Sequence, residues 1–239
     1  MKASTTPSSR NTGRSGRRRG EREMSFIDKE VLRESLHKAL ERSKKRRFKQ
    51  TVEMTIVLRD IDPKSPEGRF RETVILPHGR GKDARICVVA EGDMALKAKN
   101  MGLPRVLGKN DLQGMSRKEA KKIAEECDWV LVRTDLMPLA GRILGPALGP
   151  RGKVPVPVPP NADIGVFVER YKKAVYMRNK DQPQLMVPIG TEDMDPEKLA
   201  ENAQRVLAAI EPKLRSPTHN IAKIIVKTSM GPPVEVPLR

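Results

Sequence analysis

Three short stretches combine glycine with basic or hydroxyl side chains, the chemistry that lets a protein approach phosphate and ribose. They are Leu148-Gly149-Pro150-Arg151-Gly152-Lys153, Leu76-Pro77-His78-Gly79-Arg80-Gly81-Lys82 and Ser229-Met230-Gly231-Pro232. Glycine admits close approaches that a side chain would block, and Arg and Lys neutralise phosphate. A nucleotide-hydrolysing loop requires GxxxxGK followed by Ser or Thr. Here Ala147 stands at the first glycine position and Val154 follows Lys153, so that reading fails at both ends. After the apolar run at Ile86, Ala90-Glu91-Gly92-Asp93 offers one glycine and two carboxylates that would repel a nucleotide's phosphates. No Ser/His/Asp or Cys/His set is suggested by spacing, and catalysis is not expected. His37, His78 and His219 are scattered, and Cys87 and Cys127 lie far apart without a CxxC. Neither a zinc site nor a structural disulfide is expected from them, and no cofactor.

Composition narrows the partner. The 239 residues include 47 Lys plus Arg against 30 Asp plus Glu, a formal net charge of +17 with a pI near 10.1. Such a balance points to a polyanion, nucleic acid ahead of an anionic membrane. No apolar run approaches the roughly 18 residues of a spanning helix, and the first residues lack a signal peptide's apolar core, so a cytosolic protein is expected. Aromatic residues make up 3% of the chain, too few for stacking platforms that hold successive unpaired bases. The expected partner is folded RNA read by shape and backbone.

The elements that must position these residues follow from periodicity. Residues 1–23 carry seven basic and two acidic residues among Ser, Thr and Gly, and read as a disordered basic extension. Val31, Leu32, Leu36, Ala39 and Leu40 share a helical face, with Ser25 and Asp28 as possible caps and Lys44 to Arg47 at the basic end. Val52, Met54, Ile56 and Leu58 alternate as in a half-buried strand, and 73–76 gives a second. The pattern then changes. Strands over 85–90, 105–107 and 129–132 lack alternation and are separated by helices over 94–101 and 116–126, which indicates a parallel sheet covered on both faces. A helix over 136–144 delivers the chain to the glycine turn and to Val154-Pro155-Val156-Pro157-Val158-Pro159-Pro160, an extended proline strut expected to link regions. Helices over 164–172 and 196–214 follow, the latter with Asp195 as N-cap, and strands over 174–178, 184–189, 221–228 and 234–238. The expected fold class is an α+β split domain, discontinuous over 24–80 and 161–239, with an inserted α/β Rossmann-like three-layer domain over 81–160. Turns near 79–82 and 155–161 would form a double hinge.

With the inserted block, the three glycine motifs in this order resemble the ribosomal protein L-one family, the protein of the large subunit's mobile stalk, in its archaeal form. The likeness covers residues 25–239; the extension over 1–23 departs from the family's compact start. The resemblance implies binding to a folded segment of large-subunit rRNA, among other ribosomal components, beside the exit site where deacylated tRNA leaves. It also implies repression through the protein's own mRNA, a cytoplasmic, ribosome-bound location and a monomer when free. The family's main RNA reader maps onto Phe48 and onto Ser229, Met230 and Gly231, with Glu53 and Thr228 beside them. Ser229 stands where the family has threonine, keeping the hydroxyl. The patch also makes chemical sense by itself: Gly231 lets the RNA backbone come close, Ser229 can bond a 2′-hydroxyl or phosphate, and Met230 and Phe48 offer apolar surface to riboses. Arg46, Arg47, Lys49 and Lys227 are candidates for phosphate contacts around it. Arg151, Gly152 and Lys153, with Gly79 and Arg80, form either a second, weaker RNA contact or a hinge.

Overall fold

The computed structural model describes residues 27–66, 68–179 and 181–238. The basic extension and the possible cap Ser25 lie outside these residues. In chain order come helix α1 (Lys29–Glu41), strands β1 (Thr51–Leu58), β2 (Arg71–Ile75) and β3 (Ile86–Val89), α2 (Asp93–Asn100), β4 (Arg105–Leu107), α3 (Lys109–Gln113), α4 (Arg117–Glu126) and β5 (Trp129–Arg133). Then follow α5 (Met137–Leu148), β6 (Val156–Val158), α6 (Ile164–Lys172), β7 (Ala174–Arg178), β8 (Gln184–Thr191), α7 (Pro196–Ile210), α8 (Pro217–Asn220), β9 (Ile221–Thr228) and β10 (Val234–Val236).

An antiparallel sheet in the order β10-β9-β1-β8 draws strands from both ends of the chain. The alternation of β1 turns Val52, Met54, Ile56 and Leu58 inward, where they share one core with Leu32, Leu36 and Ala39 of α1 and Leu199, Ala203 and Val206 of α7. Each fully buried leucine here contributes roughly 2–3 kcal/mol. Asp28 caps α1 by accepting the Glu30 N–H at 3.2 Å. The helix stops at Glu41, so Lys44 to Arg47 do not form its basic end as the sequence suggested. The buried Gln50 amide holds the Lys44 carbonyl at 3.0 Å and turns the chain back toward β1.

The middle of the chain builds a parallel sheet in the order β4-β3-β5-β6. Its central strands are buried on both faces, as their unbroken apolar runs require. Cys87, Val89, Val130 and Val132 pack against α3, α4 and α5, while Ile86, Val88 and Leu131 pack against α2 and α6. Three expectations need correction here. The proline strut is not a free linker: Val156–Val158 pairs in parallel with β5, Leu131 opposite Val156 and Arg133 opposite Val158. An edge strand needs donors on one side only, so prolines at alternate positions leave the ladder intact and blunt the outer edge. Helix α6, expected with the last third, instead places Ile164 and Val168 against the parallel sheet. The short α3 was not anticipated, because five residues carry no periodic signal.

The third correction concerns the cysteines. Cys87 in β3 and Cys127 at the end of α4 form a disulfide, with Cα atoms 5.7 Å apart. The parallel register brings two fully buried side chains together across 40 residues, a span too long to read as a motif. Closing a loop of that length stabilises by about 4 kcal/mol through the unfolded chain's entropy. Cys127→Ser is therefore expected to lower the unfolding free energy by about that amount in denaturant titration. Reducing agent should destabilise the unaltered protein and leave the variant unchanged.

Candidate nucleic-acid interface

The turn between β9 and β10 and the segment between α1 and β1 meet above one buried side chain, Gln50. The two N–H groups of its side-chain amide are shared among Ser43 Oγ (3.0 Å), the Lys44 carbonyl (3.0 Å) and Glu192 Oε2 (2.8 Å). Its carbonyl oxygen accepts the Met230 N–H at 3.2 Å, and its own N–H reaches Glu192 Oε1 at 3.0 Å. Ser43 also shares a 2.8 Å hydrogen bond with the Thr228 hydroxyl. These hydrogen bonds fix the platform from which the neighbouring side chains project.

Those side chains are Phe48 and Met230, 53% and 62% exposed. Phe48 is thus not a core residue closing the first helix. Both are large apolar groups held in water by a rigid frame, a placement that favours a partner able to cover them. Gly231 folds the turn back, its N–H donating to the Thr228 carbonyl at 3.1 Å. A Cβ at Gly231 would overlap the Thr228 hydroxyl, so no larger residue fits there without displacing it. Ser229 receives the Thr51 N–H at 3.2 Å and donates back to the Thr51 carbonyl at 3.3 Å, so its hydroxyl fixes the turn and keeps one lone pair for a partner. Thr228 is fully buried. Its hydroxyl bonds Ser43 and so supports the turn from below.

The charged candidates divide into two groups. Arg46 and Arg47 are exposed beside Phe48 and make no ion pair among the described residues. Lys49 pairs with Asp193 at 2.8 Å, and that hydrogen bond raises its pKa above the ordinary lysine value. Lys227 lies opposite Glu53 in the β1/β9 register, their charges 3.8 Å apart, so each offsets the other on the sheet face that the helices leave uncovered. Arg46, Arg47 and Lys49 flank Phe48 in the chain, and Lys227 lies on β9 just before the turn that bears Met230. Gln50, Ser43 and Glu192, which hold it in shape, were missed: they are polar residues without a motif, and only the fold brings 43, 50, 192 and 228 together.

The second group is engaged internally. The glycine turn ends α5: the Gly152 N–H reaches the Gly149 carbonyl and the Lys153 N–H the Leu148 carbonyl, with Gly152 left-handed at φ 68°. It is a helix C-terminus that presents carbonyls, the opposite of an anion-cradling loop. Lys153 donates to the carbonyls of Ala124 (2.8 Å) and Cys127 (2.6 Å) at the end of α4, and burial pushes its pKa down. Arg151 bonds the Ala147 carbonyl at 3.1 Å and pairs with Glu125. Lys153 and Arg151 thus stabilise helix ends. Gly79, at φ 66°, gives its carbonyl to the fully buried Asn202 of α7 at 2.8 Å. Arg80 reaches Asp128 at 2.8 Å, and Lys82 donates to the Lys49 carbonyl at 2.8 Å, tying this turn both to the parallel sheet and to the patch segment.

Asp128 is the anchor of that tie. Burial would raise its pKa, but the hydrogen bond from the Arg85 N–H, the charge of Arg80 and the hydrogen bonds from the Arg80 and Arg85 side chains outweigh burial and hold the carboxyl below its ordinary value near 3.8. A depressed carboxylate contributes stability above its unfolded pKa and loses it as the pH falls through the folded one. Asp128→Asn should therefore cost about 1 kcal/mol at neutral pH, allowing for solvent screening, with the difference fading below pH ~3.8 in acid-unfolding curves.

Among the described residues there is no group of three or more His, Cys, Asp or Glu able to hold a metal ion, and no helix is long and apolar enough to cross a membrane. A family model described as the ribosomal protein L1p/L10e family matches residues 39–232. Among curated relatives, the large ribosomal subunit protein uL1 of Staphylothermus marinus is 62% identical over 213 residues, covering 89% of this chain and 99% of the relative. The protein of the same name from Hyperthermus butylicus is 58% identical over 90% of this chain and 100% of its own. That from Aeropyrum pernix is 57% identical over 86% of this chain and 94% of the relative. With a matched segment that runs from the first helix to the turn bearing Met230, the chain belongs to the ribosomal protein L1p/L10e family, in an archaeal form.

Proposed function

We propose that this chain is a non-enzymatic, cytoplasmic component of the large ribosomal subunit that grips a folded rRNA segment with the Phe48 and Met230 surface. The observation that carries this reading is the pair of large apolar side chains held in solvent by the buried Gln50 network, beside Arg46 and Arg47, which make no ion pair among the described residues. Apolar contact against riboses selects a shape, and the arginines add backbone attraction. Relatives named as large-subunit proteins support the same assembly.

The chain divides, in this reading, into two bodies. The antiparallel sheet with α1 and α7 forms the RNA-reading body, and the parallel sheet with its helices forms the second. The crossings lie near 79–83 and near 173 rather than 161, since α6 packs on the parallel sheet. Such a body, swung on two crossings, suits a mobile stalk beside the exit site, where it assists the release of deacylated tRNA. The free protein is a monomer, and the same patch binds a similar fold in its own messenger and represses translation.

Sedimentation tests the residence. The protein should co-migrate with large subunits in a sucrose gradient and leave them when Met230 is replaced by Asp. A protein found only in the free fraction would make it a free-standing messenger regulator instead.

A further inference from the structure

A second cluster of cations, away from Arg46 and Arg47, also has no carboxylate paired with it among the described residues. In the two-stranded ladder of β2 and β7, Arg71 stands directly opposite Arg178. Like charges in that position destabilise a ladder. Neither residue, nor Arg69 just before β2, makes an ion pair among the described residues. Arg80, Arg105, Arg133 and Arg151 by contrast each keep a carboxylate. Arg69, Arg71 and Arg178 line a cleft of about 380 Å³ whose other wall is the glycine turn, with Asp181 as the one acidic lining residue among the described residues. The absence of a side chain at Gly152 is what makes room for Arg178: a Cβ there would overlap its guanidinium.

We propose that Arg69, Arg71 and Arg178 form a phosphate-binding cleft for a second stretch of RNA backbone, apart from the Phe48 and Met230 patch. Three arginines carry more charge than a single phosphate ion offsets, whereas a polyanionic strand satisfies all three and relieves the repulsion across the ladder. Arginine's planar fork suits phosphate oxygens. The glycine turn thus takes part in RNA binding as a bare wall beside these arginines, while its own Arg151 and Lys153 stay on helix ends. This inference rests on the RNA-binding reading above.

The test uses the full chain, its Arg71→Gln/Arg178→Gln double variant and Arg71→Glu, which places a carboxylate opposite Arg178. Each is titrated across salt against the large-subunit rRNA fragment that the unaltered chain prefers, and its melting is followed with and without inorganic phosphate. The double variant should bind roughly tenfold more weakly, with a log–log salt slope shallower by about 1–2, since each lost phosphate contact removes roughly 0.7–0.9. Arg71→Glu should also weaken binding while melting no lower than the unaltered protein, which excludes misfolding as the cause. Unchanged affinity and slope in both variants would overturn the proposal. So would stabilisation by inorganic phosphate without any change in RNA binding, because the cleft would then serve a small anion. If the unaltered chain prefers no fragment, the RNA-binding reading itself fails, a result distinct from either of these.

Discussion

Met230→Asp is expected to weaken binding to the preferred rRNA fragment about a hundredfold. Met230 is 62% exposed, so the substitution removes little from the core and should leave the melting temperature unchanged. Its effect falls on the complex, where a carboxylate would be desolvated against riboses and phosphates. A penalty of about 3 kcal/mol corresponds to that factor. Lys153→Ala is the control with the opposite profile. It removes the cation that bonds the Ala124 and Cys127 carbonyls, so stability should drop while RNA affinity changes less than threefold. Equal losses of affinity in the two variants would show that the main contact surface is misplaced.

Gln50→Leu should produce the largest loss of stability of any single change in the patch, about 3–4 kcal/mol by denaturant titration. The side chain is fully buried and serves Ser43, the Lys44 carbonyl, Glu192 and the Met230 N–H together. Leucine fills a similar volume but takes one of two hydrogen bonds from the Glu192 carboxylate, which keeps the backbone N–H of residue 50, and leaves the Met230 N–H without its partner; each such loss costs about 1–3 kcal/mol. RNA binding should fall with it, although Gln50 itself touches no solvent, because the turn bearing Met230 loses its anchor. A variant that keeps full affinity would mean that the turn holds its shape without this network.

Much of the architecture was legible from period alone. The alternation of Val52, Met54, Ile56 and Leu58 identified a half-buried strand, and the unbroken run at Ile86 to Val89 identified a central parallel one. The failures share a cause: each depends on contacts between residues distant in the chain. Alternating prolines look the same in a free linker and in an edge strand, and only pairing with β5 distinguishes them. The apolar face of α6 does not say which sheet will receive it. Cys87 and Cys127 meet only because parallel strands and α4 stack in one register. At the interface, Phe48, Met230 and Gly231 were singled out through the family resemblance, and the structure adds that the two apolar side chains are exposed. Residue type could not show that Thr228 is buried or that Arg151 and Lys153 bond to carbonyls inside the protein. It passed over Gln50, an ordinary polar residue until four segments close around it, and Arg71 with Arg178, which become a pair only through the β2/β7 register.

The most direct test of the central claim is a binding titration of the purified chain against large-subunit rRNA fragments and an equally long control duplex, at two salt concentrations. The expected result is tight preference for one folded fragment, with a discrimination over the duplex that persists at the higher salt. Equal binding to both, lost together as salt rises, would contradict it and assign the affinity to the +17 net charge rather than to the surface of Phe48 and Met230.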